Sequence, residues 1–160
     1  MFAMKIKTER KINPQFQKFL ANVKGARDSY VTIGLHEDAG RYPQADLSVV
    51  EVGLWNEFGT ENIPERSWLR AAISDNISEI KMLRVLAIKK MMTGEMNLQS
   101  ALEMVGFRIQ LMVQNKIKSN VPPENAPSTV AAKLRKGIAP NTLIESGLLL
   151  RSLTFKVVLK

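Results

Sequence analysis

Few side chains in this 160-residue chain have the chemistry of a reaction centre. His36 is the only histidine and there is no cysteine, so the chain offers no thiolate nucleophile and no set of histidine and cysteine ligands for zinc. Ser146, within Glu-Ser-Gly, lacks the spacing of a nucleophile elbow and has no histidine after it. We therefore predict no catalytic, metal or cofactor-binding residue, and we expect that the protein is not an enzyme.

Three carboxylates lie close together in sequence, at Glu51, Glu57 and Glu61. Nothing pairs them with a partner that would raise a pKa, as a general acid requires. Their simplest predicted role is ion pairing with Arg66 or Arg70, within the chain or across a subunit boundary.

Both tryptophans, Trp55 and Trp68, lie in the same stretch as these carboxylates. Residues 49–58 are predicted to form a short helix with Trp55 and Phe58 on one apolar side, ended by Gly59. Ser67 or a neighbour is expected to cap the next helix. Two interpretations stay open: a tight corner between helices with its aromatic side chains in the core, or a docking surface, because Trp, Tyr and Arg dominate binding hot spots.

The remaining patterns predict a single α+β domain over residues 1–160, with a small, mostly antiparallel sheet packed against two long helices. Strands are expected at 30–36 and 153–160, and a further strand at 4–8, at 41–47 or from another chain. The long helices are predicted at 71–92 and 98–119, where Gly106 indicates close approach of another backbone. An N-terminal helical segment, capped by Asn13 and closed by Gly25, is expected within 1–25, and a long extended loop or arm at 121–142, with a short basic helix at 128–135.

The chain is basic, with a formal net charge of +8 and 45% hydrophobic residues. A basic balance favours phosphate backbones or acidic protein surfaces, so a nucleic-acid-binding module is one alternative. The excess is spread over 1–24, 81–90, 108–118 and 133–136, which argues only weakly for a dedicated nucleic-acid reader. We expect no membrane span and no signal peptide, and therefore a protein made and used without export.

Two blocks of sequence resemble one protein family. The first is Asn-Glu-Phe-Gly-Thr at 56–60, followed by Ile-Pro-Glu-Arg-Ser-Trp-Leu-Arg-Ala-Ala at 63–72. It is similar to a signature of the neck and tail-completion proteins of long-tailed bacteriophages, also described as virion-morphogenesis or minor tail proteins. Ser67 and Trp68 stand where that family usually has Pro and Phe.

The second block runs from Ala-Pro-Ser-Thr at 126–129 to Leu-Ile-Glu-Ser-Gly-Leu-Leu-Leu-Arg-Ser-Leu-Thr at 143–154. It resembles the C-terminal signature of the same family, with Glu145 and Ser146 in place of the usual Asp and Thr. Both blocks stand in the order and at the spacing that the family shows.

The resemblance implies a structural virion protein that forms a homo-oligomeric ring, expected to hold six subunits. The ring would join the tail tube to the head connector at the neck, around a channel through which DNA passes without sequence-specific binding. Its partners would be connector and tail-tube or tail-terminator proteins, and the host cytoplasm would be the place of assembly. A tail-terminator or minor tube protein is the alternative within this class. The residues expected at subunit or partner contacts are Trp55, Glu57, Phe58, Arg66, Trp68, Arg70, Pro127, Ser128, Thr129, Ile144, Ser146, Gly147 and Arg151.

Overall fold

The computed structural model of the chain describes residues 13–43 and 45–160, which form an α+β fold, as predicted. The helices are α1 Pro14–Ala26, α2 Val49–Phe58, α3 Leu69–Asp75, α4 Ile77–Met92, α5 Leu98–Lys118, α6 Pro127–Arg135 and α7 Leu148–Ser152, with a 3-10 turn at Glu37–Ala39. The strands are β1 Tyr30–Gly34, β2 Arg41–Tyr42, β3 Leu47–Ser48 and β4 Thr154–Val158.

The main sheet pairs β1 with β4 in antiparallel register, from Tyr30 opposite Val158 to Gly34 opposite Thr154. This confirms the predicted pairing of the two strand patterns. Residues 41–47 also contribute strands, but β2 and β3 pair with each other in a separate ribbon and do not extend the main sheet. The alternative strand at 4–8 lies outside the described residues.

The N-terminal helix begins as predicted, because the Asn13 side chain accepts a hydrogen bond from the Gln15 amide at 2.9 Å and Pro14 occupies the first helical position. It continues one residue past Gly25 and ends at Ala26. Helices α2 and α5 also begin at side-chain caps, Ser48 and Asn97. Helix α2 ends before Gly59, whose φ of 75° is strained for residues with a Cβ.

Helix α5 lies across the main sheet and contributes more buried residues than any other described helix. Gly106 makes this contact possible, because a Cβ there would lie 2.6 Å from Phe155 Cδ2 and 2.8 Å from Val31 Cγ2. The close approach predicted at Gly106 is therefore present, but side chains of β1 and β4, and not another backbone, fill the space.

Substitution of Gly106 by alanine is expected to destabilise the fold by about 1 kcal/mol. Overpacking costs about 1–3 kcal/mol, and the gain in helix propensity offsets about 1 kcal/mol of that cost. Gly25→Ala in α1 is the matched control, since its Cβ would meet only Leu98 Cδ2, at 3.5 Å. Urea unfolding measures both variants, and a Gly106→Ala protein as stable as Gly25→Ala would contradict the tight packing.

The predicted helix at 71–92 is wrong, because the chain breaks into α3 and α4 at Asn76. The Asn76 side-chain amide donates to the Ala72 carbonyl at 2.8 Å, and the backbone there leaves helical geometry at φ −109° and ψ 15°. On α4, Ile77 and Ile88 are exposed although they are apolar. The buried residues of α4 are Ile80, Leu83, Ala87 and Met91. Helix α4 packs mainly against α5, so only one of the two long helices covers the sheet.

The short helix predicted at 128–135 is confirmed as α6, which begins one residue earlier, at Pro127. The rest of 121–142 is loop, as predicted, but it is not an extended arm. The segment is held against its own chain, because Thr142 donates its amide to Asn120 Oδ1 at 2.9 Å and Val121 is buried. This region is therefore a folded part of the subunit and not a free arm.

Within the described residues, no helix combines the length and the apolar character needed to cross a membrane.

Candidate interaction site

The carboxylate of Glu57, on α2, caps the N-terminus of α3. It accepts hydrogen bonds from the amides of Trp68 at 2.7 Å, Leu69 at 2.8 Å and Arg70 at 3.0 Å, and from the Ser67 hydroxyl at 2.9 Å. The first amides of a helix have no partner within it, and a negative charge there is favourable. Glu57 is only 3% exposed, so two helices are joined by one buried carboxylate.

Arg70 completes this arrangement from the solvent side. Its Nε donates to Glu57 Oε1 at 2.9 Å, and its Nη2 donates to the Glu57 carbonyl at 2.9 Å and to Glu65 Oε1 at 2.7 Å. The guanidinium also lies 4.6 Å from the centre of the Phe58 ring. The predicted pairing of Glu57 with Arg70 is therefore confirmed, within the chain. We call Glu57, Ser67, Trp68 and Arg70 the α3 cap.

The pKa of Glu57 is set by opposing effects. Burial alone would raise this pKa, but hydrogen bonds from the Leu69 and Arg70 amides, the Arg70 guanidinium and the Ser67 hydroxyl outweigh burial and lower it below 4.5. The carboxylate is therefore charged at neutral pH, and it has a structural role.

Trp68 is 3% exposed, and its indole Nε1 donates to the Gly53 carbonyl at 3.1 Å. Together with Glu57 and Arg66, it lies inside the subunit, which corrects the prediction that these three side chains form a contact surface. The predicted apolar side of α2 is likewise on the outside: Leu54 is 51% and Phe58 is 58% exposed. Helix α2 instead buries Val49, Gly53 and Glu57.

Arg66 links the first sequence block to the segment before α6. It is 6% exposed, and its Nε donates to the Pro123 carbonyl at 2.7 Å while Nη2 donates to the Glu124 carbonyl at 3.2 Å. Burial lowers its pKa, although the guanidinium remains charged. Arg66 therefore pairs with backbone carbonyls and not with a carboxylate.

Lys133 has the corresponding role between the two parts of the second block, although it was not among the residues expected at contacts. Its Nζ donates to the Asn141 carbonyl at 2.6 Å and to the Ile144 carbonyl at 2.8 Å, and the residue is 6% exposed. Burial lowers its pKa, Glu145 opposes this, and the positive charge of Arg66 lowers it further.

The turn that follows is shaped by Gly147, which adopts a left-handed conformation at φ 73° and ψ 8° before α7. Ser146 accepts a hydrogen bond from the Leu148 amide at 3.3 Å, and Arg151 is exposed on α7. Glu145 pairs with Lys136 at 2.9 Å, and this contact lowers the pKa of Glu145.

The α6 helix, the turn at Gly147 and parts of α2, β2 and β3 form an open cleft of about 720 Å³, which we call the α6 cleft. Its lining combines residues from both sequence blocks with β2, β3 and α2. The residues that line it are Tyr42, Ala45, Leu47, Val52, Asn56, Arg66, Asn125, Thr129, Lys133, Lys136, Ile138, Thr142, Leu143, Glu145, Ser146, Gly147, Leu148 and Leu149. A mixture of cationic and apolar side chains is suited to binding, and the cleft contains neither histidine nor cysteine.

Of the residues that the sequence predicted at subunit or partner contacts, four line the cleft: Arg66, Thr129, Ser146 and Gly147. The others lie elsewhere. Glu57, Phe58, Trp68 and Arg70 belong to the α3 cap or lie against it, Trp55 and Ile144 are half-buried, and Pro127, Ser128 and Arg151 are exposed.

The described residues contain no group of three or more carboxylate, histidine or cysteine side chains that could hold a metal ion. His36 lies away from the cleft, and its Nε2 is 2.9 Å from the Thr32 hydroxyl.

Comparison with protein-family models, with curated proteins and with solved structures finds no match to this chain.

Proposed function

We propose that this protein is a structural component of a virion, of the neck or tail-completion type. It would assemble into a homo-oligomeric ring, expected to hold six copies, that joins the tail tube to the head connector around the DNA channel. Its place would be the neck or the top of the tail, after assembly in the host cytoplasm. The proposal begins from the sequence resemblance of the two blocks described above.

The observation that carries the proposal is that these two blocks form one structural unit. Arg66 of the first block holds the backbone of Pro123 and Glu124, directly before the second block. Lys133, between the two parts of the second block, holds the carbonyl of Ile144. A shared framework of this kind explains why both blocks would occur together in one family.

Exposed apolar side chains give separate support for assembly. Leu54 and Phe58 on α2, Phe107 on α5 and Leu134 on α6 are each more than half exposed, as are Met82, Val85 and Met92 on α4. Large exposed apolar areas on a folded subunit are typical of interaction surfaces. A ring requires two different patches on each subunit, and this subunit offers more than one apolar surface.

The proposed role is architectural and not enzymatic. The charged groups at the α6 cleft already have partners: Lys133 donates to two carbonyls and Glu145 pairs with Lys136. The buried Glu57 is occupied by capping α3. We propose that these groups hold the backbone in place.

The experiment is a cryo-electron microscopy reconstruction of particles from a phage that encodes this chain, combined with particles that lack it. We expect ring density between connector and tail tube, and unjoined heads and tails when the chain is missing. Density at the tail side of the joint alone would indicate a tail terminator instead. Joined particles without the chain, together with isolated subunits in both purified protein and particles, would contradict the proposal.

The net charge of +8 supports a second candidate from another class, a basic nucleic-acid-binding module. That function requires duplex binding that weakens steeply with salt. A filter-binding titration at two salt concentrations separates the candidates, because negligible duplex affinity at moderate salt excludes nucleic-acid binding as the main function.

A further inference from the structure

We infer that the α6 cleft receives the loop at residues 59–65 of a second copy of this chain, in a head-to-tail contact that repeats around the assembly. The inference rests on the ring proposed above and names the surfaces that would build it. It follows from the charges in the cleft, the composition of the loop, and their positions on opposite sides of α2.

The cleft carries an excess of positive charge. Arg66, Lys133 and Lys136 line it, whereas Glu145 is the only carboxylate among the described residues of its lining. The ammonium of Lys133 has three N–H donors and the guanidinium of Arg66 has five. Each makes two hydrogen bonds to carbonyls, so each has further N–H donors that a ligand could use. Thr142, also in the lining, is 8% exposed, and its hydroxyl has no hydrogen-bond partner within residues 13–43 and 45–160. A carboxylate that enters the cleft would meet complementary charge.

The rest of the lining favours a peptide over a nucleic acid. Val52, Leu148 and Leu149 give the cleft an apolar wall, and Tyr42 and Ile138 extend it. A phosphate backbone would leave this wall without a partner, whereas a peptide brings apolar and acidic side chains together. The volume of about 720 Å³ lies within the range of about 300–1,000 Å³ of ligand clefts.

The loop at 59–65 has the matching character. It carries the exposed Glu61, and also Glu65, which pairs with Arg70 of its own chain, with the half-buried Ile63 and the exposed Pro64 between them. Its shape is fixed, because the Thr60 amide donates to the Ile63 carbonyl at 2.8 Å and the Thr60 hydroxyl accepts from the Ile63 amide at 3.1 Å. A segment that is already ordered loses little entropy when it binds.

The positions on α2 favour contact between copies over contact within one copy. Val52 and Asn56 line the cleft. Leu54 and Phe58, each two residues further along, project from the opposite side of the helix, since successive residues turn by about 100°. The loop begins directly after Phe58, and its Glu65 pairs with Arg70, which lies over the Phe58 ring, before Arg66 returns to the cleft. Each copy therefore offers a cleft on one side of α2 and a loop, with two exposed apolar residues, on the other, as a heterologous contact requires.

Two variants test the contact, one by blocking the cleft and the other by blocking the loop. Thr129→Trp fills the cleft from the exposed surface of α6, and Ala131→Trp places the same side chain on an exposed position of α6 that does not line the cleft. Glu61→Lys reverses the loop, and Glu37→Lys makes the same charge change at an exposed position elsewhere. We expect Thr129→Trp and Glu61→Lys each to weaken self-association at least about tenfold in sedimentation velocity, and both controls to assemble as the unsubstituted chain does.

Mixing the two blocked variants gives the decisive result. Thr129→Trp keeps a working loop and Glu61→Lys keeps a working cleft, so the mixture is expected to form a heterodimer that cannot grow further. Circular dichroism of each variant establishes that it is folded.

Three results in the self-association experiments would overturn the inference directly. They are assembly of Thr129→Trp equal to that of Ala131→Trp, a mixture that stays monomeric, and an unsubstituted chain that is monomeric at every concentration. A variant pair that changes binding of labelled duplex DNA, with no change in self-association, would assign the cleft to nucleic acid instead. Rings that persist in all variants would overturn the loop-in-cleft contact and leave the neck function standing, whereas particles without any ring density would remove both.

Discussion

Substitution of Glu57 by alanine is expected to lower the free energy of unfolding by about 3–4 kcal/mol. The change removes the acceptor for three amides and one hydroxyl at the start of α3, and it leaves these donors largely buried. Loss of a helix cap costs about 0.5–2 kcal/mol, and each buried donor without a partner costs about 1–3 kcal/mol, partly relieved by local relaxation. Urea denaturation followed by circular dichroism measures the change.

Two further substitutions make this result specific. Glu57→Gln keeps the shape and one acceptor oxygen but loses the charge, so we expect an intermediate loss of stability. Glu61→Ala removes an exposed glutamate four residues away and is expected to change stability by less than about 0.5 kcal/mol. Equal effects of Glu57→Ala and Glu61→Ala would show that the α3 cap does not hold the two helices together.

Acid should weaken the same contact. Because the pKa of Glu57 is lower in the folded chain than its usual value of 4.5, its contribution is fully present above pH 4.5 and is lost as the pH falls through the folded pKa. The stability difference between the unsubstituted chain and Glu57→Gln should therefore be largest near neutral pH and shrink on acidification. A difference that is constant with pH would assign the effect to shape and not to charge.

The second large effect is expected at Trp68, where alanine should cost about 4 kcal/mol. The indole is buried against Gly53 and loses both its packing and its hydrogen bond to the Gly53 carbonyl. Trp68→Phe retains an aromatic ring, and phenylalanine is the residue usual at this position in the family that the sequence resembles. We therefore expect Trp68→Phe to lower the free energy of unfolding clearly less than Trp68→Ala does. Thermal unfolding compares these variants with Trp55→Ala.

Trp55 is half-buried, so its replacement by alanine should have a smaller effect on the isolated subunit. If Trp55→Ala were the more destabilising change, the assignment of Trp68 to the core would be wrong. Tryptophan fluorescence gives an independent check: Trp68 should be poorly accessible to a soluble quencher, and Trp55 more accessible.

The sequence was most informative where local interactions decide the structure. Helices α2 and α5 begin within one residue of their predicted starts, because the cap of each is a neighbouring side chain, Ser48 or Asn97. The pairing of β1 with β4 followed from two alternating patterns that had no other partner of sufficient length.

Contacts between distant residues were harder to predict. Glu57 was recognised as a partner of Arg70, but its role as the cap of α3 depends on how α2 and α3 meet in space. Asn76 ends α3 through a hydrogen bond that an uninterrupted helical pattern does not reveal. Lys133 is buried because its ammonium reaches two carbonyls, and the sequence alone gives no sign of these acceptors.

The candidate site shows the same division. The two sequence blocks contain residues of structural consequence, but the sequence left open whether Trp68 lies in the core or at a docking surface. Trp68, Arg66 and Glu57, all expected at contacts, are each buried. The α6 cleft could not be predicted, since it is formed by parts of the chain that are far apart in sequence.

The close contact between Gly106 on α5 and Phe155 on β4 also affects the order in which the chain folds. Phe155, whose ring packs against Gly106, belongs to β4. The partner strand β1 is distant in sequence, since Thr32 of β1 lies opposite Lys156 of β4, 124 residues later. During synthesis, α4 and α5 leave the ribosome before β4 and can form helices through local contacts. Strand β1 cannot pair until the distant strand β4 has been made. Until β4 is made, the face of α5 around Gly106 lacks the Phe155 ring that packs on it, and apolar surface exposed in this way favours aggregation during folding.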